Sequence, residues 1–201
     1  MPLPSRVDPF GNLFATAARG TLMGNRGGRL HDSHRTLTKR RWTSRAWICC
    51  RLDFNDRHRA VWGDSYTELF FLDEVTAFAA GHRPCFECRR KDAERFALLF
   101  AGGTQRATAA EMDRQLQDER LAGTAKRTHR RAVDELPAGA MIARGNDAYA
   151  LSQDEMLSWS PEGYTARESR PRSTDVAVLT PPSVLHVLAR GYAPLWHPTG
   201  I

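Results

Sequence analysis

Four cysteines are the residues of this 201-residue chain whose spacing points most directly to chemistry. Cys85 and Cys88 form a C-x-x-C pair directly after Pro84, in the stretch GHRPCFECRRK. A proline before such a pair, with a helix starting just after it, is typical of a zinc knuckle. In a knuckle the turn points both thiolates at one ion, and its amides donate to the sulfurs. The sequence therefore predicts a metal site, with zinc as the ion, at this pair.

Two other interpretations of the pair stay open. A redox-active C-x-x-C is usually found beside a βαβ pattern, and no such pattern surrounds this one. The two cysteines could also be plain buried residues of the core. Disulfides are not expected, because the cytosol, where we expect this chain, keeps thiols reduced.

A structural zinc site needs four ligands, so the pair supplies half of one. The nearest further sulfurs are those of Cys49 and Cys50, on a predicted strand. Adjacent residues of a regular strand face opposite sides, so both can bind one ion only if the strand bulges or ends there. Otherwise one of them, with Cys50 favoured, would bind together with a histidine such as His58 or His82. The spare cysteine would then be a core residue or a reactive thiol. The predicted metal ligands are Cys49, Cys50, Cys85 and Cys88.

A second group of residues that could do chemistry lies in the stretch LHDSHR, which places His31, Asp32 and His34 close together. In a loop, this spacing can bind a metal or position an acid and a base. No carboxylate at helical spacing completes a metalloenzyme signature here. These three residues are the candidates for a catalytic site.

The block KRRWTSRAW interleaves basic residues with tryptophans. Arginine planes and tryptophan faces suit phosphate contact and base stacking in a nucleic-acid interface. The formal net charge of +6 and the isoelectric point of about 9.5 also fit an anionic partner. The alternative is a solvated basic loop whose tryptophans pack in the core. The predicted nucleic-acid contacts, with DNA favoured over RNA, are Arg40, Arg41, Trp42, Arg45, Arg89 and Arg90.

Composition indicates the class of protein. The hydrophobic share of 41% and the five tryptophans fit a folded chain rather than a disordered one. No run of 18 apolar residues is present, so we predict no transmembrane helix and no membrane partner. The N-terminal stretch MPLPSRVDPFGNLF lacks the basic start and long apolar segment of a secretory signal. The expected location is the cytoplasm.

The elements that must position these residues are predicted to be short. Strands are expected at 20–23, 46–54, 60–62, 66–72, 141–143, 149–151, 156–159 and 175–179. One helix should begin after the cap Asp73 and end at Gly81, and another should span 92–101. A third should begin at a capping box formed by Thr108 and Glu111, and the last should span 183–190 after the cap Thr180.

Together these elements predict an α+β protein. Residues 1–103, which include the basic segment, would form a small zinc-stapled part with a short sheet and helices. Residues 104–201 would form an α+β region with short antiparallel strands and no recognised chemistry. The boundary falls at the Gly102-Gly103 pair, and one continuous domain also fits the pattern.

The segment YTELFFLDEVTAFAAGHRPCFECRRKD resembles the second half of the zinc-binding domain of the Ada DNA-repair protein, a module also appended to some nucleases. Both have a strand ending in paired aromatics, a helix ending in alanine-glycine, then R-P-C-x-x-C and basic residues. The likeness spans residues 66–92. In that family four cysteines bind zinc, and one accepts a methyl group from a DNA phosphotriester. The resemblance implies zinc binding by Cys85 and Cys88 and, less directly, by Cys49 and Cys50. It does not extend to methyl acceptance, because the family's first pair is C-x-x-x-C, whereas Cys49 and Cys50 are adjacent and lie further upstream.

The leading hypothesis is a zinc-binding protein that contacts nucleic acid, linked to DNA repair or processing, with a mainly structural metal. One alternative is an enzyme that uses a reactive Cys49 or Cys50 thiolate, or the group His31, Asp32 and His34. Another is a protein–protein interaction module in which zinc compensates for a small core.

Overall fold

The computed structural model describes residues 1–56 and 60–201 and has the α+β fold that the sequence predicts. Within these residues, four helices pack with two six-stranded sheets and one small hairpin. The first sheet is built from the N-terminal half of the chain and the second from the C-terminal half. This segregation of strands and helices is the α+β arrangement rather than an alternating βαβ one.

The N-terminal sheet carries the cysteines. Its strands are β1 (Arg6–Val7), β2 (Leu13–Phe14), β3 (Leu22–Asn25), β4 (Ile48–Cys50), β5 (Leu69–Phe71) and β6 (Arg83–Pro84). They lie in the order β2-β1-β5-β3-β4-β6. The pairs β1–β5 and β4–β6 are parallel, and the other neighbours are antiparallel. The strands predicted at 46–54 and 66–72 are therefore present in shorter form, and the strand predicted at 20–23 is present but shifted two residues along the chain. β6 is one edge of the sheet, with β4 beside it.

Helix α1 (Glu74–Ala79) follows β5 almost directly. As predicted, Asp73 caps it, because the Asp73 carboxylate accepts the Thr76 N–H at 2.8 Å. Gly81 ends it with a φ of 87°, a conformation that glycine adopts without strain. All residues of this short helix are buried. α1 therefore lies inside the molecule, and its packing rather than its length stabilises it.

Three longer helices, α2 (Arg90–Phe100), α3 (Ala109–Arg120) and α4 (Pro182–Ala189), form a helical layer. α3 begins with the predicted capping box of Thr108 and Glu111. The apolar faces of the three helices meet α1 in one core cluster, which includes Phe78, Phe96, Met112, Leu116, Val184 and Leu188. No helix in residues 1–56 and 60–201 is both long and apolar enough to cross a bilayer.

The C-terminal sheet is antiparallel throughout. Its strands are β9 (His129–Ala132), β10 (Met141–Arg144), β11 (Asp147–Leu151), β12 (Glu155–Ser160), β13 (Gly163–Ser169) and β14 (Asp175–Val178). They lie in the order β13-β12-β11-β10-β14-β9. A separate hairpin of β7 (Leu121–Ala122) and β8 (Ala125–Lys126) connects α3 to this sheet. All four strands predicted after residue 140 are confirmed.

α1 contacts both sheets. Ala77 packs with residues of the N-terminal sheet, whereas Val75 and Ala79 pack with residues of the C-terminal sheet. The predicted boundary at Gly102 and Gly103 falls between α2 and α3, which contribute to the same core cluster. The division of the chain into two domains stays a prediction.

Two local predictions were wrong. No strand forms at 60–62, because Trp62 has a φ of 58° and turns its indole Nε1 to donate to Glu68 O at 2.9 Å. Thr180 does not cap α4, since its hydroxyl accepts the Met141 N–H at 2.8 Å. Pro181 takes the cap position instead, and the helix begins at the next residue.

Candidate metal centre

Sheet pairing brings the two cysteine segments together. β4 and β6 run parallel, with Cys49 opposite Pro84, and the Cys85 N–H donates to Cys49 O at 3.0 Å. The residues that follow on each strand, Cys50 and Cys85, therefore lie side by side. Pro84 suits this edge position because it has no N–H to offer to a further strand.

Three sulfurs form a compact group, the metal cluster of Cys50, Cys85 and Cys88. Their Sγ atoms all lie within 4.8 Å of one another. Cys85 is buried, and the other two are half-buried. Zinc–sulfur bonds of about 2.3 Å at tetrahedral angles place two sulfur ligands of one ion about 3.8 Å apart. Sulfurs that already lie within 4.8 Å of one another need to move by about 1 Å or less to bind one ion.

The backbone favours negative charge on these sulfurs. The Glu87 N–H donates to Cys85 Sγ at 3.4 Å, and the Cys88 N–H donates to the same sulfur. The Arg51 N–H donates to the sulfur of Cys88. Hydrogen bonds of this kind offset thiolate charge in metal sites. The amide-to-sulfur contacts predicted for the C-x-x-C turn are confirmed.

The three thiols share their protons unequally. Hydrogen bonds from the Cys50 and Cys88 thiols hold the pKa of Cys85 far below its ordinary value. Donation to Cys85, then to Cys88, together with burial, raises the pKa of Cys50. A bound divalent cation stabilises negative charge on all its sulfur ligands, which deprotonates them. The donor set therefore fits a thiophilic ion.

A cavity of about 280 Å³ adjoins the metal cluster, and all three cysteines line it. Its other walls include Phe54, Tyr66, Phe70 and the carboxylate-bearing Glu68 and Glu87. An ion bound to the three sulfurs would lie at the wall of this cavity.

Cys49 lies outside the metal cluster. It is fully buried on the opposite side of β4, where it packs with Leu69 and Phe71. Its sulfur accepts a hydrogen bond from Arg89 Nη1 at 3.7 Å. Burial, and then the Glu74 carboxylate, raise the pKa of the Cys49 thiol, which is therefore neutral. The alternation of the strand decides between the two cysteines: Cys50 joins the pair, and Cys49 is a core residue rather than a ligand or a reactive thiolate.

The two histidines considered as further ligands have different outcomes. His82 is fully buried away from the cluster, its Nε2 accepts from Arg26 Nε at 3.4 Å, and its ring contacts Trp47 and Phe71. Burial and the charge of Arg26 hold the pKa of His82 well below its usual range, so the ring is neutral. His58 lies outside the described residues, and its role as a ligand stays a prediction.

The candidate catalytic residues His31, Asp32 and His34 do not converge. His31 is buried, with Nδ1 2.7 Å from Thr67 Oγ1 and Nε2 3.0 Å from Gly63 O, so both ring nitrogens have partners. Asp32 is exposed, and its carboxylate accepts the backbone N–H of His34 at 2.9 Å. These contacts stabilise a loop, and no acid–base pair forms among the three residues.

The predicted nucleic-acid contacts upstream of β4 are accessible. Arg40, Arg41 and Arg45 are exposed, and Trp42 is half-buried between them. We call residues 39–45 the basic loop. Arg90 is exposed at the start of α2, where Nε lies 3.2 Å from Glu94 Oε1.

The prediction for Arg89 was wrong, because its guanidinium is not available to a phosphate. Arg89 is 3% exposed, and its Nη1 lies 2.7 Å from Glu74 Oε1. Its Nε also lies 2.9 Å from Asp92 Oδ2. The arginine beside the C-x-x-C pair is thus part of a buried ion pair that joins α1 to the start of α2.

A cationic cluster beside the basic loop was not predicted from the sequence. The guanidinium carbons of Arg26 and Arg120 each lie 3.9 Å from a ring centroid of Trp47. These residues belong to three distant segments, so no local spacing indicates that they meet.

Comparison of the chain with protein-family models, curated proteins and solved structures finds no match. The resemblance to the Ada zinc-binding domain therefore stays a prediction, supported by the motif alone.

Proposed function

We propose that this protein binds zinc through Cys50, Cys85 and Cys88 and contacts nucleic acid through its basic loop, with the metal mainly structural. The observation that carries the proposal is the approach of three sulfurs, from two segments 35 positions apart in the chain, to within 4.8 Å of one another.

The donor set favours zinc among the common metals. Three cysteine sulfurs with amide donors around them suit a thiophilic ion, and Mg²⁺ and Ca²⁺ prefer oxygen ligands. A structural zinc site takes four protein ligands, so a fourth donor from another residue would complete this one, and His58 stays the predicted candidate. The metal would then connect β4 to the turn before α2, which is a structural role.

Replacing any one of the three clustered cysteines should abolish stoichiometric zinc binding, because two sulfurs are too few for a stable site. We expect Cys50→Ser, Cys85→Ser and Cys88→Ser each to retain less than about a tenth of the zinc of the wild-type protein. Cys49→Ala is the matched control, since its residue is adjacent to Cys50 but faces the core. Elemental analysis of proteins purified without added chelator measures the zinc content. Equal zinc loss in the control, or full zinc in the three serine variants, would refute this ligand set.

Nucleic-acid contact is supported by the basic loop, in which three exposed arginines flank a half-buried tryptophan. Exposed guanidinium groups bind phosphates, and an accessible indole face can stack on a base. The net charge of +6 adds long-range attraction for a polyanion. The resemblance to the Ada module favours DNA.

Affinity for DNA should fall steeply as salt rises, because each neutralised phosphate releases counterions. The double variant Arg40→Gln/Arg45→Gln should reduce the slope of log K against log salt by up to about 1.8 for duplex DNA, since two phosphate contacts are lost. Fluorescence anisotropy with a labelled DNA, and with RNA of the same sequence, gives this slope. Arg190→Gln removes an equal exposed charge at the end of α4 and should leave the slope unchanged. An affinity that does not respond to salt would contradict nucleic-acid contact.

A further inference from the structure

A cavity of about 230 Å³ lies beside the basic loop, on the far side of β4 from the metal cluster. The charged side chains in its lining are all positive. Four cationic side chains line it, and no aspartate or glutamate is among the lining residues that the structure describes. The four are Arg26, Arg41, Arg120 and Lys126.

The two most buried cations both lie against one tryptophan. Arg26 and Arg120 are each 1% exposed, and each guanidinium lies against the ring of Trp47. Arg41 is exposed and Trp42 is half-buried, so these two residues form the entrance. Positive charge is therefore present both at the buried end of the cavity and at its entrance.

The buried guanidinium groups contact neutral partners rather than carboxylates. Arg26 has five N–H groups and uses two, donating to Gly11 O at 2.9 Å and to His82 Nε2 at 3.4 Å. Arg120 donates to Gly81 O and Arg45 O, both at 2.8 Å. In residues 1–56 and 60–201, no carboxylate lies within ion-pair distance of either guanidinium. Among the described residues, neither guanidinium thus has a direct ion-pair partner, and the carboxylates of Asp8 and Asp113 act on Arg26 and Arg120 only from beyond that distance.

Two residues of the lining also carry a buried donor without a partner in the described part of the chain. Arg120 Nε and Trp47 Nε1 make no hydrogen bond within the described part of the chain. Buried N–H groups are normally satisfied, and an unpaired one is costly. The lining residues therefore carry, besides their charge, two donors that the described part of the protein leaves unsatisfied.

Each of these cations raises the electrostatic cost of the others. Burial, then the charges of Arg120 and Arg41, lower the pKa of Arg26 to about 9. Burial lowers the pKa of Arg120 to about 9, and Arg83 adds to this effect against the opposing charge of Asp113. Burial, with Arg120 and Arg26, lowers the pKa of Lys126 to about 7. An anion in the cavity would relieve this repulsion.

We propose that this cavity binds a phosphate group, presented either by a small phosphate monoester or by the terminal phosphate of a nucleic-acid strand. A phosphate monoester carries close to two negative charges and three acceptor oxygens, which match several cationic donors better than a carboxylate does. The cavity is smaller than the ~300–1,000 Å³ of pockets that enclose drug-sized ligands. It holds the phosphate and a small part of what bears it, and Trp42 at the entrance offers a flat surface to the rest.

This inference does not require the metal centre. Only the possibility that the phosphate belongs to a nucleic-acid strand rests on the proposed function. Isothermal titration calorimetry of the full chain with inorganic phosphate, at ionic strength held constant with sodium chloride, tests it directly. We expect one site per chain. Arg41→Gln and Lys126→Gln should each weaken binding by about tenfold or more, since each removes a charged hydrogen-bond donor. Arg127→Gln is the matched control, because Arg127 is exposed beside Lys126 but does not line the cavity.

Circular dichroism and zinc content establish that each variant is folded before it is titrated. Binding that is absent, or equally strong in both cavity variants and the control, overturns the proposal. Two further arms identify the source of the phosphate. One uses ribose 5-phosphate, and the other uses a 5′-phosphorylated DNA oligonucleotide beside its 5′-hydroxyl twin.

The arms separate the failure of this inference from the failure of the proposed function. Binding of ribose 5-phosphate without DNA binding supports the cavity and contradicts nucleic-acid contact. A preference for the phosphorylated oligonucleotide that Arg41→Gln removes supports both. Equal binding of the two oligonucleotides, with no affinity for inorganic phosphate or ribose 5-phosphate, overturns the cavity proposal and leaves nucleic-acid contact supported.

The affinity for inorganic sulfate, measured over a series of pH values, tests the role of Lys126. A lysine with a purely structural role would not change this pH dependence. Sulfate keeps its charge between pH 8.5 and 6.5, whereas Lys126 gains a proton as the pH falls through about 7. The charged groups that act on Lys126 are Arg120, Arg26 and, with the smallest effect, Asp8. Sulfate affinity should therefore rise as the pH falls, and Lys126→Gln should flatten this dependence. A dependence that persists unchanged in Lys126→Gln contradicts a role for this ammonium in the site.

Discussion

Removal of zinc by a chelator is expected to lower the melting temperature of this protein by roughly 8–16 °C. An ion bound to Cys50, Cys85 and Cys88 closes a loop of about 35 residues, and a cross-link of that length restricts the unfolded chain by about 4 kcal/mol. For a chain of this size, 1 kcal/mol corresponds to about 2–4 °C. Loss of the ion also leaves three thiols competing for protons at the edge of the sheet.

The measurement is a thermal melt of zinc-loaded protein before and after chelation, followed by re-addition of zinc. Zinc should restore the melting temperature and magnesium should not, because the donors are sulfurs. Hydrogen exchange should increase most in β4, β6 and the first turn of α2, which the ion connects. Cys49→Ala should show the same loss on chelation as the wild-type protein, although its own melting temperature is lower. An unchanged melting temperature after complete removal of zinc would contradict a structural role for the metal.

Two of the three cysteines of the metal cluster could be predicted from the sequence, and the third could not be assigned with certainty from sequence alone. The C-x-x-C pair and its preceding proline are local, so Cys85 and Cys88 could be identified directly. The third sulfur depends on the parallel pairing of β4 with β6, a contact between residues more than thirty positions apart. Strand alternation limited the choice to Cys49 or Cys50, but only the register of the sheet decides which one faces the pair.

The fold shows the same division between local and long-range information. Caps and turns are local, so the starts of α1 and α3 were predicted correctly from Asp73 and from the Thr108–Glu111 box. The strands β1, β2 and β6 were not predicted, because each has only two residues and no hydrophobic alternation. Such strands exist only because a neighbouring strand supplies their hydrogen bonds.

Charged residues were the hardest to place. Arg40 and Arg89 look alike in the sequence, since both lie among other basic residues, yet one is exposed and the other is buried. The carboxylates that pair with Arg89 are Glu74, on another helix, and Asp92. Arg26 and Arg120 meet across nearly half the chain. Burial of an arginine is therefore decided by tertiary partners, and a count of basic residues overstates the surface available to a polyanion.

Disrupting the buried pair of Glu74 and Arg89 is expected to cost about 3–5 kcal/mol of unfolding free energy. Glu74 is fully buried, and its carboxylate accepts from Arg89 Nη1 at 2.7 Å, from the Tyr192 hydroxyl at 3.0 Å and from the Leu195 N–H at 2.9 Å. In Glu74→Leu the guanidinium stays buried without its counter-charge, and the C-terminal segment loses two hydrogen bonds. Urea unfolding at neutral pH measures the change in free energy.

A double-mutant cycle separates the ion pair from the other contacts of Glu74. The double variant Glu74→Leu/Arg89→Leu should be less destabilised than the sum of its single variants by about 1–3 kcal/mol, because it leaves no buried charge unpaired. Glu94→Leu is the control, since its pair with Arg90 is exposed and should contribute less than about 1 kcal/mol. Strict additivity in the cycle would show that Glu74 acts through Tyr192 and Leu195 alone. In that case Arg89 would not be the residue that joins the metal-binding turn to α1, and the cysteine turn would depend on β6 and the ion for its position.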